Sequence, residues 1–315
     1  KMTLTEKDKL YNWHPYTQHK TAPDFPAIVK GEGALLWDEN GKEYIDAIAS
    51  WWVNPFGHSN TIIADAIYKQ LTTLEHVLFG GFTHGPAVVL SEKLIKILPK
   101  NQNKIFFSDN GSTAVEVAIK VALQYFFNKG EKKTTIIAFE NAFHGDTFAA
   151  MAASGISFYT QAFEGMFIDV VRIPVPVKGQ EEASFQALAQ AIKNNNCAAF
   201  IFEPLVLGAA GMVMYEPKEL DILIGICKEN NVLTIADEVM TSRHGRSGML
   251  HLLGEVADIT TYGKYLGGGF SFGAFGGRAE LLDQFDTSLE GGRLAAGRQV
   301  ISHAGTFNNN MASMT

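Results

Sequence analysis

From Asn103 onward, short apolar runs alternate with stretches of helical periodicity, and this alternation leaves few folds open. Residues 104–107, 135–139, 198–202 and 232–236 are apolar almost throughout. Such strands are buried on both faces, and intervening helices are what parallel neighbours need for a crossover. Residues 112–127 repeat Val115, Ala118, Ile119 and Ala122 at helical spacing, and a further helix is expected over about 218–229. The expected fold class is α/β, with a mainly parallel central sheet covered by helices. Ahead of it, 33–47 reads as a hairpin turning at Asp38-Glu39-Asn40-Gly41. Amphipathic helices are expected over 61–74, with Ile62, Ala66, Ile67 and Leu71 on one face, and after Gly85-Pro86, carrying Val89, Leu90, Leu94 and Leu98.

Charge and composition narrow the function class. A net charge of −7 gives no basic footprint for nucleic acid, and no Lys/Arg run suggests an anionic membrane surface. No apolar stretch is long enough to span a bilayer. The opening Lys1-Met2-Thr3-Leu4-Thr5-Glu6 lacks the apolar core of a signal peptide, so a cytoplasmic location is expected. Cys197 and Cys227 have no CxxC spacing and read as reduced core thiols. No His/Asp/Glu cluster at ligand spacing supports a metal.

In α/β sheets ligands collect at the carboxyl ends of the strands, and four motifs fall there. Ser108-Asp109-Asn110-Gly111-Ser112-Thr113 joins a strand to a helix. Gly111 permits close backbone approach, and Ser112 and Thr113 add hydroxyls and N–H groups that suit a phosphate. A plain helix cap by Asp109, Asn110 or Ser112 explains the same residues. In Asn141-Ala142-Phe143-His144-Gly145-Asp146, Phe143 offers a ring for stacking with His144 beside it; a core Phe and a structural His are the alternative. Asp237 and Glu238 directly follow an apolar run, where a carboxylate needs a cationic partner, either a metal or a protonated ring nitrogen. Lys264 sits between Thr260-Thr261-Tyr262-Gly263 and Gly267-Gly268-Gly269. A surface lysine is the ordinary reading, but the glycines and the nearby Phe270, Phe272 and Phe275 favour a confined site, where desolvation makes the amine a nucleophile. In this order the four motifs compose a site for pyridoxal 5′-phosphate (PLP): a phosphate cradle, a stacking ring, a carboxylate for the pyridine nitrogen and a lysine for the aldehyde.

The order Gly111-Ser112, Phe143-His144-Gly145, Asp237-Glu238 and Lys264 resembles the class III aminotransferases, which are fold-type I PLP-dependent transferases. Within that family, residues 1–240 resemble the biotin-pathway branch. The carrying elements are Trp13-His14-Pro15-Tyr16-Thr17, Ser50-Trp51-Trp52, the stretch from His76 to His84, and Phe143-His144-Gly145-Asp146-Thr147-Phe148. Residues 241–315 depart from that branch. Thr241-Ser242-Arg243-His244-Gly245-Arg246-Ser247-Gly248 is one residue longer than the usual family segment, and 257–278 and the segment around Gly305-Thr306 resemble glutamate-1-semialdehyde aminomutase relatives.

The resemblance implies roles. Lys264 would bond covalently to PLP and move the proton, and Asp237 would keep the pyridine nitrogen protonated. Gly111 and Ser112 would bind the phosphate, Phe143 would stack on the ring with His144 beside it, and Glu203 would lie near the cofactor. Tyr16, Trp51, Phe143 and Ala304 would line the substrate pocket. Gly305 and Thr306 would reach the cofactor phosphate of a neighbouring subunit, so a homodimer is expected, acting on a small-molecule amino donor and a keto acceptor. The implied division is an N-terminal segment over 1–50, shared between small domain and substrate pocket, and a large PLP-binding domain over 51–315. A C-terminal small domain is expected to be absent, as family members usually continue beyond this point.

Overall fold

The computed structural model describes residues 1–155, 158–285, 300–301 and 303–315. The chain opens with α1 (Leu4–Tyr11), capped by Thr3, and a small antiparallel sheet of β1 (Ile28–Glu32), β2 (Leu35–Asp38) and β3 (Glu43–Ile45). The expected hairpin is β2–β3, and Asp38 closes its turn by accepting from the N–H groups of Asn40 and Lys42. One left-handed turn, α2 (Ala49–Trp52), leads to α3 (Thr61–Leu71) and α4 (Gly85–Ile95). Both later helices form where the periodicity predicts, but α3 stops at Leu71 and buries only Ile67. Its Ile62 and Leu71 are exposed, because no element among the described residues covers them.

The rest alternates as expected: β4 (Lys104–Ser108), α5 (Gly111–Asn128), β5 (Thr135–Phe139), α6 (Phe148–Ala153), β6 (Val170–Ile173), α7 (Glu181–Asn194) and β7 (Cys197–Phe202). A minor hairpin of β8 (Val206–Leu207) and β9 (Val213–Met214) precedes α8 (Pro217–Glu229), β10 (Leu233–Asp237), β11 (Ile259–Tyr262) and β12 (Gly273–Gly277). The short helices α9 (Ala279–Leu282) and α10 (Met311–Met314) complete it. The central sheet has seven strands in the order β4-β12-β11-β10-β7-β5-β6, and β12 alone runs against its neighbours. One face packs on α5 through Val115, Ala118, Ile119, Ala122 and Phe126. The other packs on α7 and α8 through Leu188, Leu220, Leu223, Ile224 and Cys227. Burial on both faces is why the strands read as uninterrupted apolar runs. Both cysteines are buried and unpaired.

Candidate active site

The site grows from strand ends lying side by side. β10 finishes at Asp237, β7 leads into Glu203, β5 into the loop with Phe143 and His144, and β11 into Gly263 and Lys264. Asp237 is buried, and its Oδ2 lies 2.7 Å from Nδ1 of the equally buried His144. Its Oδ1 accepts from Val239 N at 3.1 Å and from Thr261 Oγ1 at 3.2 Å. Thr261 is the parallel register partner of Asp237, so the β10–β11 pairing itself delivers that hydroxyl. His144 N donates to Ser154 Oγ at 2.9 Å, and Arg172 on β6 donates to the carbonyls of Ala152 and Ser154, so α6 anchors the histidine loop from behind. Glu203 is also buried; its carboxylate accepts from Phe143 N at 3.0 Å and Gly208 N at 2.9 Å. Burial raises its carboxyl above the ordinary range, against the charge of His144 and these N–H groups.

Lys264 has a left-handed backbone, φ 47°, at the start of a short 3₁₀ turn. Its Nζ lies 5.0 Å from the ring centroid of Trp52. Burial lowers its amine below the ordinary lysine range; the charges of Asp237 and Glu203 oppose that shift and Arg243 adds to it. Trp52 is presented by α2, where Ala49, Ser50, Trp51 and Trp52 all have positive φ. Such a run costs about 1–2 kcal/mol per residue and persists only where the surroundings fix it. Asp46 supplies that anchor: its carboxylate accepts from Ser50 N at 3.0 Å and Ser50 Oγ at 2.7 Å, and meets His58 Nε2 at 2.7 Å.

The N-terminus of α5 abuts the lysine turn. A Cβ on Gly263 would lie 2.9 Å from Gly111 Cα, so only glycine admits this crossing. Asn110 is the cap, accepting from Thr113 N at 2.9 Å, as the plain reading of that loop allows. Among the described residues, neither the Gly111 nor the Ser112 N–H has a protein acceptor, which leaves both for an anion. Ser112 Oγ meets Thr147 Oγ1 at 2.8 Å and accepts from Thr147 N at 3.0 Å. Gly145, at φ +125°, passes so close that a Cβ there would lie 2.2 Å from Ser112 Oγ.

Other expected site residues stand further out. Phe143 is 39% exposed, held by its backbone rather than by packing of its ring. Tyr16 Oη donates to Asp146 Oδ1 at 2.8 Å, and burial and that bond push its phenol up to about 12. Trp51 is 63% exposed, so the ring beside Lys264 belongs to Trp52, which the sequence reading passed over. Ala304, Gly305 and Thr306 are exposed in the single chain, just beyond His303, which packs against Phe106. Arg243 was also missed: its Cζ lies 5.4 Å from the Trp52 centroid.

Glu238, neighbour to Asp237, is fully buried and accepts from Thr241 Oγ1, Met249 N and Leu250 N. Burial raises its carboxyl from the ordinary 4.5 to about 7, over those hydrogen bonds and with the charge of Asp237 adding. Between these values the folded chain keeps a proton that the unfolded chain has lost, so this group makes stability fall as pH rises. Glu238→Gln is therefore expected to gain on wild type by on the order of 2–3 kcal/mol between pH 5 and 8. Urea unfolding at the two pH values checks this; an equal difference at both would show no such titration.

A family model for class III aminotransferases matches residues 16–315. The chain belongs to the class III aminotransferases. The match runs unbroken past Met240. The adenosylmethionine-8-amino-7-oxononanoate aminotransferase of Synechococcus elongatus is 45% identical over 269 residues, covering 82% of this chain and 63% of that one. The Helicobacter pylori enzyme of the same name is 32% identical over 298 residues, covering 91% of this chain and 68% of that one. In fold, the crystal structure of the Methanocaldococcus jannaschii enzyme of that name superposes with a TM-score of 0.90 at 32% identity, covering 99% of this chain and 72% of that one. An omega transaminase from Pseudomonas jessenii, solved in complex with PMP, gives a TM-score of 0.88 at 26% identity over 99% of this chain and 72% of that one. This class III chain spans about 63% of the length of the Synechococcus relative.

Proposed function

We propose that this chain binds PLP covalently through Lys264 and catalyses transfer of an amino group. The observation that carries this is one set of adjoining strand ends that brings together a buried amine, a buried carboxylate and a helix N-terminus whose first N–H groups have no acceptor among the described residues. The residues fit the cofactor. Gly111 and Ser112 offer N–H donors to the phosphate, and Asp237 has carboxylate lone pairs to spare beyond His144, Val239 and Thr261. When bound, PLP supplies an electron sink for the carbon that loses or gains the amino group.

The protein's own part is placement and proton control. Asp237 would hold the protonated pyridine nitrogen, and His144 and Thr261 fix the position of its carboxylate. Lys264, whose amine burial lowers below the ordinary lysine range, serves as nucleophile and then as the base that moves the substrate proton. Phe143 and Glu203 would bound the cofactor, and Tyr16, Trp51 and Ala304 would serve the substrate. Gly305 and Thr306, exposed here, would serve the phosphate site of a partner in a homodimer.

The substrate reading is S-adenosylmethionine as amino donor to 8-amino-7-oxononanoate, giving 7,8-diaminononanoate for biotin synthesis. The names of the Synechococcus, Helicobacter and Methanocaldococcus relatives support it. Borohydride reduction and peptide mapping are expected to find phosphopyridoxyl on Lys264, and the donor–acceptor pair to be turned over. Turnover of glutamate-1-semialdehyde alone would instead favour the branch that 257–278 resembles. A trapped label with no turnover of either would leave a PLP-binding chain without catalysis.

A further inference from the structure

Among the described residues, Arg243 is a half-buried cation without a counter-charge. Every buried carboxylate of the site has partners of its own: Asp237 holds His144 and Thr261, Glu203 holds two backbone N–H groups, and Glu238 holds Thr241, Met249 and Leu250. Among the described residues Arg243 has no ion pair, and its one polar contact is a weak one from Nη2 to Met240 Sδ at 3.8 Å. Its guanidinium and the Lys264 amine share the Trp52 ring, at 5.4 Å and 5.0 Å from the centroid. The two turns are fastened together, since Tyr265 Oη donates to Ser242 O at 2.9 Å.

Two cations on one ring repel each other, and a guanidinium lying on an aromatic ring keeps its N–H edge free. That edge matches a carboxylate in two parallel hydrogen bonds. We propose that Arg243 binds the carboxylate that is α to the reacting amino group, and so selects α-amino acids as donors. The proximity to Lys264 decides which carboxylate. An α-carboxylate is attached to the very carbon whose nitrogen is exchanged, whereas the carboxylate of a long keto acid lies a chain's length away. Part of the reading rests on the proposed transamination, but recognition of the anion does not.

Two measurements separate these dependences. In turnover, S-adenosylmethionine and its decarboxylated analogue differ only in the group at issue. Arg243→Gln is expected to lower kcat/KM for the acid about 100-fold and for the decarboxylated donor less than about 3-fold, as loss of a buried bidentate contact predicts. Arg243→Lys, which keeps charge but not the fork, should fall between. Equal losses on both donors, or a loss seen only with the keto acceptor, would overturn the assignment. In binding, calorimetry with 4-(methylthio)butanoate and its amide needs no turnover. The acid should bind wild type at least about 10-fold tighter than Arg243→Gln, with the amide binding both alike. An acid that binds both equally, or not at all, sinks the proposal. Retained acid selectivity with no turnover of any donor would leave Arg243 standing and remove the transaminase reading.

Discussion

Lys264→Ala is expected to lose the borohydride-stable label altogether and to lower turnover by at least about 10³-fold, because nucleophile and proton carrier go together. The fold should survive the change. The left-handed φ of 47° burdens any side chain with a Cβ alike, and the Lys264 amine makes no hydrogen bond among the described residues that packing depends on. Lys264→Arg is the informative companion. It keeps a cation against Trp52 near Asp237 and Glu203, but a guanidinium stays protonated at any working pH and cannot act as an amine. Both variants should therefore be inactive, while only the arginine retains the local charge. The checks are peptide mapping after reduction, the cofactor's absorbance band and single-turnover rates. A trapped label on another lysine, or turnover within tenfold of wild type, would remove Lys264 from the chemistry.

The fold was legible where burial is symmetric. β4, β5, β7 and β10 are covered on both faces, so their sequences are apolar without alternation, and α5 carries a clear buried stripe. β12 was not legible, because Gly273-Ala274-Phe275-Gly276-Gly277 has neither an apolar run nor a period, and its identity as the one reversed strand depends on neighbours distant in sequence. β6 was missed for a similar reason: Val170-Val171-Arg172-Ile173 is short and contains a charge that turns out to secure α6. The exposed face of α3 looked like core because amphipathicity reports only that a face is apolar, not what covers it.

The candidate site was legible as a set of strand-end motifs and illegible in its aromatic wall. Asp237 and Lys264 stand out because a carboxylate or a lone lysine beside apolar strand residues violates the local pattern. Nothing in Ser50-Trp51-Trp52 tells which indole faces inward. That choice is made by four successive left-handed residues and by Asp46 gripping Ser50 and His58, a geometry no propensity anticipates. Arg243 was hidden for the opposite reason. In Thr241-Ser242-Arg243-His244 it resembles any loop arginine until Trp52 is found beneath it.

Asp237→Asn is the second large effect, expected to lower kcat by about 10²–10⁴ with little change in KM. The carboxylate is fixed in place by His144 Nδ1, Val239 N and Thr261 Oγ1. An amide fills the same space but cannot stabilise a proton on a ring nitrogen, and its NH₂ must turn toward one of those donors. Removing one partner of a buried charged network typically costs about 3–5 kcal/mol. That cost falls on folding and is read separately by urea unfolding; at roughly tenfold in rate per 1.4 kcal/mol, the expected loss in kcat corresponds to about 3–5 kcal/mol of barrier. The substrate should still bind, because among the described residues the partners of the Asp237 carboxylate are His144, Val239 and Thr261, none of which is expected to hold the substrate. Asp237→Glu keeps the charge and should recover part of kcat, which a purely structural role would not produce. A variant with kcat within tenfold of wild type, or one in which KM alone moved, would show that the charge at this strand end is not what drives the reaction.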